Sequence, residues 1–302
     1  MWFVYAAAAA VCFGLRGILY QWTSQRPLQR NVLLFGVYLS GILIALAVNL
    51  AVSQPWSKPV WIGTLMGLFS FTSNAAMYKG FSVGKASLIA IFTALPPVVV
   101  VLMAYLIWGE KLNVWQMAAF AVILTGVLMI RYAGDLSLKH LQGAGWGVVA
   151  MLFFGLTDLS SKASTLHGAE PLPTLVVMYA TGTLCFGFSW MIDARQARRV
   201  RAAIGQGVQE MAAASESGSK RWPVGKTLLW GMVVGVTNIS GMMFILPAFK
   251  LGVTGLVSAM IAMNVVIVLL YARFGLKEKM SRLEVGGLIC ALIGILVLKL
   301  AG

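Results

Sequence analysis

Two charged side chains stand inside apolar runs of this 302-residue chain: Arg16, within the stretch from Trp2 to Tyr20, and Asp158, within the stretch that follows Gly143. If those runs lie in lipid, each charge costs roughly 2.5–3.5 kcal/mol to insert. An arginine offers a fork of donors to a carboxylate, and an aspartate accepts an ammonium or a proton. Two arrangements satisfy the pair. In one, Arg16 and Asp158 bond each other and neutralise the cost of burial. In the other they face a wet cavity, Arg16 receiving a substrate carboxylate and Asp158 an ammonium or a coupling proton. Lys162 is one turn beyond Asp158 and within pairing reach, but its place near the helix end predicts that it snorkels to the interface.

Uncharged polar residues cluster at comparable depths. Thr72-Ser73-Asn74 is followed one turn later by Tyr78, Thr157 precedes Asp158, and Thr237-Asn238 lies in a later run. They serve as hydrogen-bonding glue between helices or, as an alternative whose best candidates are Asn74 and Asn238, as cavity lining. Pro96-Pro97 removes backbone donors in the middle of another run and predicts a kink there. Such a kink is a gating hinge or a static bend.

The elements that position these residues follow from composition. Sixty per cent of the residues are hydrophobic and 11% are charged, against about 25% charged in a soluble domain. A helix needs about 20 apolar residues to cross the hydrocarbon core of a bilayer. That criterion predicts an all-α polytopic membrane protein with about ten transmembrane spans near 2–21, 32–53, 59–79, 84–108, 113–131, 143–163, 171–192, 226–249, 253–272 and 284–300. A connector of residues 193–225 starts with a basic stretch, predicted as a short surface helix, and continues as a flexible Ser/Gly linker. Most tryptophans fall near span ends, as expected of an aromatic belt.

The chain repeats itself. An ungapped offset of 168 residues pairs Gly84 with Gly252, Glu110-Lys111 with Glu278-Lys279 and Gly126 with Gly294, and it sets Asn264 in the place of Pro96. An offset of 141 pairs Phe13-Gly14-Leu15 with Phe154-Gly155-Leu156 and brings Asp158 onto Gly17, the neighbour of Arg16. Each half, 1–132 and 143–302, then holds five helices. An odd number per half makes the second copy run opposite to the first, giving inverted repeats about an axis in the membrane plane. That arrangement should bring Arg16 and Asp158 toward the axis from opposite halves. Glu110 and Glu278 fall at tight joins and read as turn residues beside their lysines.

Trp108-Gly109-Glu110-Lys111, the Gly126 segment and their copies at Glu278-Lys279 and Gly294 resemble the EamA family of the drug/metabolite transporter superfamily. Phe13-Gly14 and Phe154-Gly155 occupy the place of that family's usual Trp-Gly, and Pro96 the place of its mid-helix proline. The resemblance covers nearly the whole chain. It implies ten helices around a central cavity and the export or import of amino acids, metabolites or drugs.

The expected activity is therefore secondary transport of a small polar or zwitterionic metabolite, of amino-acid or amine type, by alternating access and with protons as a candidate coupling ion. Export of drugs or other cationic compounds is one alternative. A membrane receptor or assembly subunit that does not transport is another. The partners implied are the solute and membrane lipids. Nucleic acid is not among them, because the net charge of +14 resides mainly in loops beside the spans. No cofactor or metal is expected, and no nucleophile, zincin or P-loop motif points to an enzyme. Cys12, Cys185 and Cys290 read as small apolar residues. Oligomeric state stays open, since Gly286, Gly287 and Gly294 suit close packing within the chain or between chains.

Lys and Arg are distributed unequally. Seventeen lie on the side of the joins that follow odd-numbered spans, and five on the other. The positive-inside rule then places both termini outside and the 193–225 connector in the cytoplasm of a bacterial-type plasma membrane. Many members of the family are assigned the reverse.

Overall fold

The computed structural model describes the chain except for residues 25, 85, 133–141, 204–221, 276, 278 and 302. Lys85, Lys139, His140, Lys220, Arg221, Glu278 and the Ser/Gly part of the connector lie outside the described residues. Twelve α-helices are described: α1 Trp2–Ser24, α2 Arg30–Val52, α3 Ile62–Val83, α4 Ala86–Phe92, α5 Pro96–Trp108, α6 Val114–Arg131, α7 Ala144–Leu166, α8 Pro171–Ala203, α9 Val224–Leu251, α10 Thr254–Ala262, α11 Asn264–Phe274 and α12 Arg282–Ala301. A 3₁₀ turn, Lys58–Trp61, leads into α3.

These make ten spans, because α4 with α5 and α10 with α11 each form one broken crossing. Nine of the ten are long and apolar enough to cross a membrane. The remaining one, α3, has 22 residues and carries Ser70, Thr72, Ser73 and Asn74. Its polar face is turned inward, with Ser70, Ser73 and Asn74 buried. Large apolar side chains point outward instead, among them Leu184, Phe188, Leu292 and Leu296. That inversion suits a molecule whose surroundings are hydrocarbon. The chain is thus an all-α polytopic membrane protein.

Packing partners exchange between the halves. α1 packs on α9 while α7 packs on α3; α2 meets α9 while α8 meets α3; α2 meets α8, and α6 lies along α12. The last contact is intimate. A Cβ placed on Gly126 would stand 2.6 Å from the carbonyl of Gly287, and one on Gly294 would stand 2.6 Å from Ile123. Gly287 and Gly294 thus serve packing within the chain, as small residues do where helix backbones approach closely.

Helix starts repeat as well. At the head of α6, Asn113 and Gln116 form a reciprocal capping box; at the head of α12, Ser281 and Glu284 form the same pair of bonds. Each box satisfies two otherwise unpaired backbone donors.

The prolines differ from the expected kink. The helix stops at Phe92, and Pro96 opens α5 at its first position, where a missing N–H costs nothing. At the matching place α10 stops at Ala262 and Asn264 opens α11. Both breaks carry the same bond, from Val98 N to Leu95 O at 3.0 Å and from Val266 N to Met263 O at 2.9 Å. The element is a break between two half-helices, not a bend in one. The basic start of the connector also differs from expectation: it is no separate surface helix, because α8 runs on through Arg195, Arg198 and Arg199 to Ala203.

Candidate functional site

A cavity of about 1290 Å³ enters the bundle at the end bearing the Lys- and Arg-rich joins. Its walls come from the last turns of α1 and α3, the α1–α2 join, the late part of α8 and the start of α9. Tyr20, Phe71 and Tyr78 form its inner part, and Arg26, Arg30, Lys79, Asp193 and Arg198 its mouth. Tyr78, a residue expected from the sequence, lines it, with the Arg30 guanidinium 5.6 Å from its ring.

One turn below Tyr20 on α1 lies Arg16. Its guanidinium stands 4.5 Å from the Phe13 ring centroid and 5.9 Å from that of Tyr20. It donates to Asn238 Oδ1 at 2.5 Å, and Asn238 donates to the Tyr179 hydroxyl at 3.0 Å. Tyr179 sits 5.5 Å from the ring of Tyr38. Tyr38 in turn bonds the Ser70 hydroxyl and accepts from Asn74 Nδ2 at 3.4 Å. Five helices, α1, α2, α3, α8 and α9, are thereby joined through one polar layer. Asn74 and Asn238, expected at the centre, are both in it, each donating to a tyrosine of a neighbouring helix.

The two tyrosines were missed by the sequence reading. The signal was present: Tyr38 and Tyr179 are separated by 141 residues, as are Gly41 and Gly182. Each tyrosine ring fills the gap left by the opposite glycine. A Cβ on Gly41 would fall 2.2 Å from Tyr179 Cδ1, and one on Gly182 would fall 2.2 Å from Tyr38 Cδ1.

Of the two arrangements open to Arg16 and Asp158, the mutual pair does not form. Asp158 Oδ2 instead accepts from the Ser258 hydroxyl of α10 at 2.6 Å. Depth explains the separation. Arg16 stands eight residues before the end of α1, and Asp158 fourteen after the start of α7, counted from the same end of the bundle. At 1.5 Å per residue the six-residue difference is about 9 Å. Two helices running in opposite directions bring matched positions to one depth only at the midplane.

The other expected residues are placed as follows. Thr157 and Thr237 turn their hydroxyls onto their own helices, to Phe153 O and Val234 O, both at 2.8 Å. Thr72 does the same to Leu68 O at 2.9 Å. Asn264, like Pro96 and Pro97, belongs to a helix break and to neither the cavity lining nor the polar layer.

Lys162 overturns the expectation of snorkelling, and Glu110 that of a simple turn residue. At the end opposite the cavity mouth, Lys162 Nζ lies 3.4 Å from Glu110 Oε1, the two side chains being 7% and 20% exposed. The ammonium also donates to Phe249 O at 2.8 Å, in the last turn of α9, and to Gly252 O at 2.9 Å, in the residue that caps it. Glu110 accepts from the Thr254 backbone N–H and hydroxyl, both at 2.8 Å. Cations at a helix C-terminus complement the dipole there. This cluster ties the end of α5 to α7, α9 and α10.

The chain is therefore a ten-span helical membrane bundle with a cavity open at one end and a partly buried ion pair toward the other. Residues 1–132 match the model of the EamA-like transporter family. The match covers 132 of the 302 residues. An "Uncharacterized transporter YxxF" of Bacillus subtilis (strain 168) is 29% identical over 136 residues, which cover 44% of this chain and 43% of that protein. The chain thus matches less than half the length of this relative. A protein of known crystal structure superposes with a TM-score of 0.71 at 16% identity, over 98% of this chain and 96% of that one; the likeness is one of fold.

Proposed function

We propose that the chain is a secondary transporter that carries a small polar metabolite by alternating access, and that the cavity at the basic end is its solute path. The observation that carries this reading is the contrast between the two ends. One admits solvent to Tyr20 and Tyr78; the other is held shut by Lys162, Glu110 and Thr254. Exchange of packing partners between residues 1–132 and 143–302 supports two inverted halves able to rock against each other. With the Lys- and Arg-rich side inside, the termini lie outside, the connector is cytoplasmic, and the cavity faces the cytoplasm.

Arg16, one turn beyond the cavity-lining Tyr20 on α1, is the cation nearest the inner end of that path and the group we assign to a solute carboxylate, with Asn238, Asn74, Tyr38 and Tyr179 completing the polar layer. An amine-type solute held by Asp158 fits less well, since Asp158 does not line the cavity. Its place between α7 and α10, two helices that must shift during rocking, suits a coupling-proton site instead.

Counterflow in proteoliposomes tests the reading. Saturable uptake of labelled solute, dependent on unlabelled solute inside, is the expected result. Specific binding without counterflow, under conditions that reconstitute a control carrier, would identify a receptor.

A further inference from the structure

We propose that the solute is an anion, a small carboxylate- or phosphate-bearing metabolite of net negative charge, selected by Arg16 and Arg30. The inference deepens the transport reading and rests on the cavity being the solute path. Four of the five charged side chains lining that cavity are cations, Arg26, Arg30, Lys79 and Arg198, and the single acid is Asp193. Asp193 already accepts from Asn31 Nδ2 at 2.6 Å.

The acids of the interior are elsewhere and engaged, Asp158 by Ser258 and Glu110 by Lys162 and Thr254. Among the described residues none of the cavity cations, nor Arg16, has a carboxylate within ion-pair distance. Three of them stand beside aromatic rings: Phe13 and Tyr20 beside Arg16, Trp22 4.8 Å from Arg26, and Tyr78 beside Arg30. Ring faces orient a guanidinium without cancelling its charge, and the amide of Asn238 is neutral. A cationic solute would meet four like charges and one acid already bonded.

Positive-inside bias accounts for cations at the mouth, but not for Arg16, which lies within a span at the insertion cost of a charge. An anion descending past Tyr20 supplies the missing counter-charge.

The test uses the full chain purified in detergent, with thermal stabilisation measured at matched ionic strength for succinate, glycerol 3-phosphate, leucine and putrescine. Succinate, glycerol 3-phosphate or both should raise the melting temperature in a saturable way, and leucine and putrescine should not. Arg30→Gln, at an exposed position that leaves folding intact, should weaken the effect about tenfold or more. Arg16→Gln should abolish it and Arg16→Lys should restore part. If Arg16→Gln does not fold, Arg30→Gln and Arg16→Lys decide.

Stabilisation by putrescine or leucine alone overturns the proposal. So does equal stabilisation of wild type and both Gln variants by anions, which would be mere screening of a basic surface, and so does no stabilisation by any of the four. Anion binding without counterflow upholds the solute class and refutes transport; counterflow of a cation does the reverse.

Discussion

Lys162 Nζ, anchored by two carbonyls at the end of α9, lies 3.4 Å from Glu110 Oε1 at the end of α5, so that one ion pair joins residues from the two halves of the chain. Under the proposed alternating access, the pair lies at the end opposite the cavity, where the second opening would form. An element that closes one end of an alternating-access carrier must be strong enough to hold and weak enough to open. Removing one partner of a buried pair costs about 3–5 kcal/mol in soluble proteins, and about 1.4 kcal/mol is a tenfold change in an equilibrium.

Lys162→Met or Glu110→Gln should therefore populate the state open at that end. A cysteine introduced beside the cluster should react with a membrane-impermeant maleimide at least about tenfold faster in either variant, while labelling near Tyr78 slows. Unchanged labelling at both places would show that the pair stabilises the fold without gating it.

Asp158 bonds Ser258 across α7 and α10 at 2.6 Å. If this carboxylate carries the coupling proton, Asp158→Asn should lose accumulation driven by a pH gradient yet keep solute-for-solute counterflow. Ser258→Ala should weaken the coupling and preserve both modes. Loss of counterflow and of driven uptake together in Asp158→Asn, with the protein still folded, would place Asp158 in solute handling instead.

Each of Tyr38 and Tyr179 occupies the space over a glycine of the other's helix. Gly41→Ala and Gly182→Ala should each destabilise by about 1–3 kcal/mol through overpacking, lowering the melting temperature measurably. Gly145→Ala, where an added Cβ meets nothing within 4 Å, serves as the control. If the two ring-packed variants melt with the control, the rings yield easily and the layer is loose.

The matching breaks before Pro96 and Asn264 lead to a fourth expectation. Asn264→Pro places proline at the first position of α11, where a proline already opens α5. Proline is accommodated at a helix's first position because that N–H has no intrahelical partner. Melting should change by less than the Gly182→Ala variant changes it. Collapse of the folded protein would mean that the break at Met263 must bend in a way proline forbids.

Much of this protein is local and could be read from the chain. Runs of about twenty apolar residues form helices in lipid because the backbone can satisfy its own hydrogen bonds nowhere else. The ten crossings, the inward polar residues of α3 and the 168- and 141-residue repeats follow from that rule and from spacing alone. Asn74, Asn238 and Tyr78 stood out because buried amides and phenols in lipid need partners. The class of each polar residue was legible, but its partner was not.

Tertiary structure decided the partners. The sequence allowed Arg16 to pair with Asp158, since they occupy neighbouring places in the repeat; α1 and α7 run in opposite directions and hold them at different depths, and each bonds a neighbour on α9 or α10 instead. It suggested that Lys162 reaches for the interface, because a lysine near a helix end usually can; the ends of α5 and α9 instead bring Glu110 and the Phe249 and Gly252 carbonyls within its reach. Tyr38 and Tyr179 carry the 141-residue spacing of the repeat, but only a helix crossing shows which glycine a ring will fill. Helix formation depends on neighbours within a turn or two; pairing across a bundle depends on depth and direction, which a linear pattern does not carry.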